Sequence, residues 1–254
     1  SDLSTWDGKL RGDLSELSWR DDTTHVNYKK VYCNNPAWIY YDLMSNNRYG
    51  LGEFLEKQDI DIYQLYQIGR YCDELVSDGS GGLEPRFTCN IYIKDKEDAY
   101  KKLSDIASIF RSLLLWLNGQ AVLVQDRPKE PIYTFTKSNI LGGEFVYQSS
   151  SSRLRANQVN VTWNNPDSFY AAEVLTVEDA EDIIDKKRVI TKDIIALGCT
   201  SKGQAYRLGN WTVLTEKLES GIISFKTANN AQFLSPGDII YVQDNDFTGV
   251  VGSG

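Results

Sequence analysis

The stretch SDGSGGLEPRFTCNIYI, Ser77–Ile93, decides the class of fold, because it holds three glycines (Gly79, Gly81 and Gly82) beside regular structure. Glycine loops cradle phosphates when a strand enters them and a helix leaves, since the helix then offers free N–H groups and its positive dipole end. Here the order is reversed. Upstream, DIDIYQLYQIGRYCDELV carries Asp61 and Gln64 at capping-box spacing, and Ile62, Leu65, Tyr66, Gly69, Cys72 and Leu75/Val76 recur every three or four residues. That pattern predicts an amphipathic helix ending near Val76. Downstream, RFTCNIYI alternates and is rich in β formers, which predicts a strand from Arg86. The glycines then sit at a helix C-terminus, whose carbonyls repel an anion, and no Lys-Ser/Thr follows them. A helix stop and a chain reversal are expected, not a phosphate site.

Working outward, Asn35 and Pro36 stand at the N-cap and first position of a short helix over NPAWIYYDLMSN, followed by the turn NNRYGLG. Asp95 is placed to cap a further helix, with Ala99, Leu103, Ile106, Ala107, Phe110 and Leu113 on one stripe. LLLWL-NG-QAVLV reads as a hairpin, Asn118-Gly119 suiting a type I′ turn. QDRPKEP is the best candidate boundary. Beyond it IYTFT, GEFVYQ, NQVNVTW, FYAAEVLTV, RVITKDIIAL, GIISFKT and PGDIIYVQD favour strands, with SSSSR a flexible loop and Pro236-Gly237-Asp238 a turn. VEDAEDIIDKKR suits a short solvated helix with Asp182 and Lys186 paired at i,i+4. One long helix interrupts: Ser201 and Gln204 form a capping box, and Ala205, Leu208, Thr212 and Thr215 a narrow stripe flanked by Trp211 and Leu218. The expected class is α+β: an arm or incomplete strands over 1–34, an α+β domain over 35–130, and a β-rich, barrel-like domain over 131–254 with an inserted helix at about 201–219.

The 254 residues suffice for a proper core, and 41% apolar with 24% charged residues is ordinary globular composition. A net charge of -8 argues against a sequence-independent grip on nucleic acid. Cys33, Cys72, Cys89 and Cys199 form no CxxC pair and are expected as reduced, mostly buried thiols. No signal peptide and no apolar run near the ~20 residues of a membrane span occurs, so a soluble chain is expected. The start at Ser1 without an initiator Met, and the stop at Gly254 just after a strand-like run, suggest a piece of a longer polypeptide.

No catalytic, cofactor-binding or metal-ligating residue emerges. His25, the sole histidine, lies in the poorly patterned arm and reads as a surface residue. Paired carboxylates have no motif behind them among 35 acids. DNDFTG, Asp244–Gly249, has oxygen ligands at Asp244, Asp246 and Thr248 and a sixth-position Gly, like half an EF-hand loop. Its bidentate Glu would fall beyond the chain, so a polar turn is expected. The sequons Asn160-Val161-Thr162 and Asn210-Trp211-Thr212 fall in regular elements and read as chance matches. Aromatic residues reach 12%, with 15 Tyr and 6 Trp, which tilts the reading toward an assembly or binding protein rather than an enzyme.

Several stretches carry a family likeness. PAWIYYDLMSNNRYGLG, IYQLYQIGRYCDELVSDGSGGLEPRFTCNIYI, AYKKLSDIASIFRS, QDRP, VTWNNPDSFY, GCTSKGQAYRLGNW and LSPGDIIYV together resemble the central part of the tip attachment (host specificity) protein J family of lambda-like tailed phages, over about residues 35–242. The resemblance implies a virion protein at the tip of a long non-contractile tail. It implies a homotrimeric hub of β-barrel-like and α+β domains, related to the baseplate hub of contractile phages, that joins the tail tube to the host-recognition apparatus. Other tail-tip and baseplate proteins would be its partners, with no cofactor, no sequence-specific nucleic acid and no membrane contact. Synthesis would occur in the bacterial host cytoplasm. Receptor binding belongs to a far C-terminal part of the family and is not carried to these residues. The alternative is a carbohydrate- or protein-binding module on the virion surface; a cell-wall glycosidase stands third.

Overall fold

The computed structural model describes residues 33–55, 59–93, 98–117, 120–149, 155–219, 221–228 and 231–244. Residues 1–32 of the expected arm with His25, Asp95, the Asn118-Gly119 turn and residues 150–153 of the SSSSR loop lie outside them. The chain divides into two units: Ser1–Gln125 with Trp163–Ala172 and Ala196–Gln204, and Asp126–Thr162 with Glu173–Ile195 and Ala205–Gly254.

The first unit starts at α1 (Pro36–Ser45), where the Asn35 side chain accepts from Ala37 N–H at 3.0 Å and Pro36 occupies the first turn. Asp61 caps α2 (Ile62–Asp73) by accepting from Gln64 N–H at 3.0 Å. The cap of α3 (Ala99–Ile109) is Asp98, bonded to Lys101 N–H, rather than the expected Asp95. One Asp three residues closer to the apolar stripe is the better placed acceptor. Leu113, assigned by periodicity to this helix, instead lies in β3 (Ser112–Leu117), which pairs antiparallel with β4 (Gln120–Gln125) as the hairpin pattern requires. Trp38, Tyr40, Met44, Leu65, Ile106, Phe110 and Leu123 are at most 2% exposed and form the centre of this core. Each such side chain contributes about 1.5–3 kcal/mol by burial.

Two expectations for this unit fail. α2 stops at Asp73, and Leu75–Ser77 is β1, paired antiparallel with β2 (Leu83–Pro85). RFTCNIYI is no strand. Phe87 and Cys89 are buried, but its N–H groups bond to separate segments: Phe87 to Cys72 O, Cys89 to Asn34 O and Asn90 to Gly198 O. The alternation is real, because burial alternates, while the ladder that defines a strand is replaced by single contacts.

In the second unit β5 (Tyr133–Thr136) pairs parallel with β11 (Ile240–Gln243), and β6 (Leu141–Ser149) antiparallel with β10 (Gly221–Lys226). An aromatic chain ties the two pairs: Phe233 and Phe135 lie 5.4 and 4.8 Å from Tyr133, and Phe225 lies 4.8 Å from Phe135 and 5.3 Å from Phe145. A three-stranded sheet has the order β8 (Ala171–Glu178), β7 (Gln158–Asn165), β9 (Thr191–Ile195). Its Val159, Val161 and Val177 are buried, as are Ala205, Gly209, Thr212 and Val213 of α5 (Lys202–Leu218). A Cβ on Gly209 would stand 2.7 Å from Val177 Cγ2 and 2.9 Å from Val161 Cγ2, so the helix approaches this sheet at its glycine. α4 (Ala180–Lys186) carries the expected Asp182–Lys186 pair at 2.8 Å. The class is mixed α+β, with small sheets; among the described residues no sheet closes into the barrel anticipated for the second half.

Candidate functional site

The glycine loop answers its own question. Asp78 Oδ1 accepts from Ser80 N–H at 2.7 Å and from Gly82 N–H at 2.9 Å, and Asp78 N–H bonds to Gly82 O. Those two amide bonds hold the Asp78 carboxyl below its ordinary pKa. The anion at this nest is therefore the protein's own side chain. Gly79 and Gly81 take φ of +81° and +94°, the left-handed region that the tight β1–β2 reversal requires. The reading as a turn rather than a phosphate cradle holds, but the turn closes a hairpin, not a helix.

Next to this hairpin the segment 198–204 is stapled to residues 84–90 of the same unit. Gln204, buried at the start of α5, accepts through Oε1 from Thr88 N–H (3.0 Å) and Thr88 Oγ1 (2.9 Å) and donates through Nε2 to Thr88 O (3.0 Å). Its amide thus substitutes for a neighbouring strand. Ser201 donates to Glu84 Oε2 while its Oγ caps Gln204 N–H, and Asn90 Nδ2 donates to Thr200 Oγ1 at 2.8 Å. Ser201 is the expected cap, but the Gln204 side chain is used on Thr88. The Gln64 side chain likewise serves a distant strand, accepting from Leu123 N–H. Capping-box spacing marked both helix starts correctly without revealing these tertiary uses.

A cleft of about 200 Å³ in the second unit is lined by six charged residues: Arg155, Asp179, Asp182, Lys186, Glu216 and Lys217. Asp179 caps α4 by accepting from Asp182 N–H and bonds Lys217 at 2.7 Å; Lys192 pairs with Glu216 at 2.7 Å. Hydrogen bonding from Lys217 lowers the Asp179 pKa, and hydrogen bonding from Lys186 lowers that of Asp182. Buried Asn157 spans the floor, donating to Asp182 Oδ2 and Arg188 O and accepting from Ile190 N–H. Depressed carboxylates paired with lysines suit neither a general acid nor a raised-pKa base. The arrangement is a structural brace.

The β7–β8 loop is built differently. Asn165 starts a 3₁₀ turn (Pro166–Ser168) by accepting from Asp167 N–H at 3.0 Å. Phe169 N–H bonds to Pro166 O, Tyr170 N–H to Asn165 O at 2.7 Å, and Asn164 Nδ2 to Tyr170 O at 3.0 Å. Phe169 and Tyr170 both take positive φ, +54° and +60°, a conformation that costs a non-glycine residue about 1–2 kcal/mol. Phe169 is 97% exposed and Tyr170 62% exposed. The strand expected over FYAAEVLTV begins only at Ala171, because Phe169 and Tyr170 belong to this turn; its signal in the sequence is Asn-Asn-Pro-Asp, a turn initiator placed directly before the two aromatics.

Other sequence features find local roles. Both polar atoms of Asn160, in the first sequon, bond within the sheet, to Asp193 Oδ1 and from Thr176 Oγ1, and Asn210 lies on α5. Asp244 pairs with Lys137 at 3.1 Å and accepts from Tyr147 O–H at 2.9 Å; the rest of the EF-hand-like turn lies outside the described residues. Cys72, Cys89 and Cys199 are buried and Cys33 is half-buried, and none of the four is in a disulfide. Among the described residues no group of three His, Cys, Asp or Glu could hold a metal, and no helix is long and apolar enough to cross a membrane.

The family Phage-tail_3, described as "Putative phage tail protein", matches residues 98–252, and the chain belongs to it. It is also a homologue of tip attachment proteins J, as its sequence motifs imply: 39% identical over 219 residues to that of Escherichia phage SECphi27, and 34% over 223 residues to that of Escherichia phage SECphi4. These alignments cover 86% and 87% of this chain, which spans 18% and 19% of the two relatives' length. Among solved structures, a chain in the virion of a native gene transfer agent particle is similar at a TM-score of 0.48 and 10% identity, covering 57% of this chain and 34% of that one.

Proposed function

We propose that this chain is a non-catalytic structural segment of the hub at a phage tail tip, part of a homotrimer in the virion that joins the tail tube to the host-recognition apparatus. Residues 35–130 and 131–254 serve as its hub domains and 1–34 as an arm. The observation that carries this reading is the alignment with tip attachment proteins J along 86% of the chain. The bracing supports it: a hub must transmit load without yielding, and here loops are clamped by side-chain amides and ion pairs rather than left to open. A net charge of -8 suits a lumen that must not adhere to passing DNA. Tails purified from phage should contain the full-length protein, and sedimentation equilibrium of that protein should return three times its chain mass. A monomer, or tails without it, overturns the reading.

A second reading, a carbohydrate- or protein-binding module on the virion surface, draws on the exposed Phe169 and Tyr170. Saturable binding on a glycan array, lost on removing both aromatics, would favour the carbohydrate form of it.

A further inference from the structure

We infer that a buried water molecule is built into the first unit where α1 meets the β3–β4 hairpin, held by Ser112 Oγ, Gln125 Oε1 and Tyr40 Oη. These three oxygens are enclosed, their residues being 8%, 5% and 1% exposed, and none has a hydrogen-bond partner among the described residues. Ser112 and Gln125 are direct cross-strand partners, and both are buried on the core side of the hairpin. Side chains so placed keep their Cβ atoms about 4.5–5.5 Å apart, near enough for one solvent molecule to touch both. The Gln125 amide is fixed in sense, because Nε2 donates to Phe110 O at 3.1 Å and leaves Oε1 over. Tyr40 comes to the same place from α1. Its ring stands edge-on to that of Phe110, with centroids 6.3 Å apart. Burial first, and then the nearby Tyr100, push the Tyr40 phenol up, and the Tyr100 hydroxyl donates to Leu114 O, two residues along β3 from Ser112.

The chemistry of the three oxygens selects water. Gln125 Oε1 can only accept, while each hydroxyl can donate or accept. A water molecule donates to Oε1 and to one hydroxyl and accepts from the other. An anion would be repelled by Oε1, and a hard cation takes about six or more oxygens where only three neutral ones are offered. Buried polar groups left unmet are costly, and buried waters typically make about three bonds to such groups. Solvent is thereby part of the joint between α1 and the hairpin, whatever the chain's role in the tail.

The test is a crystal or cryo-EM structure of the full-length protein in which ordered solvent is visible. One density peak within hydrogen-bonding distance of Ser112 Oγ, Gln125 Oε1 and Tyr40 Oη is the expected result. The lack of such a peak, a peak that touches fewer than three of these oxygens, or a direct bond between any two of them overturns the proposal. A second structure, of the variant Ser112→Ala/Tyr40→Phe, tests which groups hold the water. Each change deletes a hydroxyl and adds no bulk. With Gln125 Oε1 alone left, the peak should be lost. Its persistence at the same place shows that the hydroxyls do not hold it and overturns the proposal; if the variant does not fold, the density of the parent decides alone.

Discussion

The side-chain amide of Gln204 pairs with both backbone polar groups of Thr88, the N–H and the C=O each at 3.0 Å. Deleting it strands a donor and an acceptor in a partly buried position, and each such group costs about 1–3 kcal/mol. Gln204→Leu, similar in volume, should therefore lower stability by about 2–4 kcal/mol. Hydrogen exchange at the Thr88 amide is the specific readout. If that amide stays as protected in the variant as in the parent, the clamp is not what holds the segment.

Gly209→Ala should run against helix propensity. In an open helix the change gains about 1 kcal/mol. Here the new methyl would meet Val177 Cγ2 at 2.7 Å and Val161 Cγ2 at 2.9 Å, and overpacking of this kind costs about 1–3 kcal/mol. Urea melts of Gly209→Ala, Val177→Ala and the double variant form a cycle. Val177→Ala should restore part of the Gly209→Ala loss, and simple additivity would refute the clash.

Acid should weaken the brace around Asn157. Asp179 and Asp182 both have folded pKa values below 3.8, chiefly through hydrogen bonds from Lys217 and Lys186. A depressed carboxylate contributes stability that is fully present above its unfolded value and is lost as pH falls through the folded one. The stability difference between parent and Asp179→Asn/Asp182→Asn should thus be constant near neutrality and shrink below about pH 4. A difference that grows on acidification would contradict the assignment.

Thiol reactivity should separate the cysteines. Burial pushes the Cys89 thiol up to about 11 and raises that of Cys72, so neither supplies thiolate at neutral pH. Cys199 is equally enclosed, and Cys33 alone is half-buried. With an aromatic disulfide reagent at pH 7.5, Cys33 should react first and slowly, and the remaining three only after denaturant is added. Rapid labelling of Cys89 in the native protein would show that the segment opens.

Local chemistry was legible in this sequence wherever one residue decides it. Asn35-Pro36, Asp61 and Ser201 announced helix starts because a cap acts within three residues, and the Asp182–Lys186 pair because i,i+4 geometry is intrinsic to a helix. RFTCNIYI misled because alternation reports burial, not which backbone partner answers it. Strand pairing at long range, such as β5 with β11, leaves no trace in periodicity at all. The cleft was partly visible as an acidic run, but its lysine partner Lys217 arrives from another helix. The aromatic loop stayed hidden for a further reason: positive φ at Phe169 and Tyr170 goes against their intrinsic preference, so propensity points away from it.

The staple between Thr88 and Gln204 also sets a schedule. The two residues are 116 positions apart in the chain. A ribosome adding about 5–20 residues per second needs about 6–23 s to cover that span. Throughout that interval the segment bearing Phe87 and Cys89 has been made but lacks its amide clamp. Closing so long a loop adds little entropy beyond a shorter one, so the delay comes from synthesis and not from the search. The unit that holds Thr88 therefore stays incomplete until residues 196–204 have been made, and nascent chains halted short of Gln204 should be those that chaperones retain.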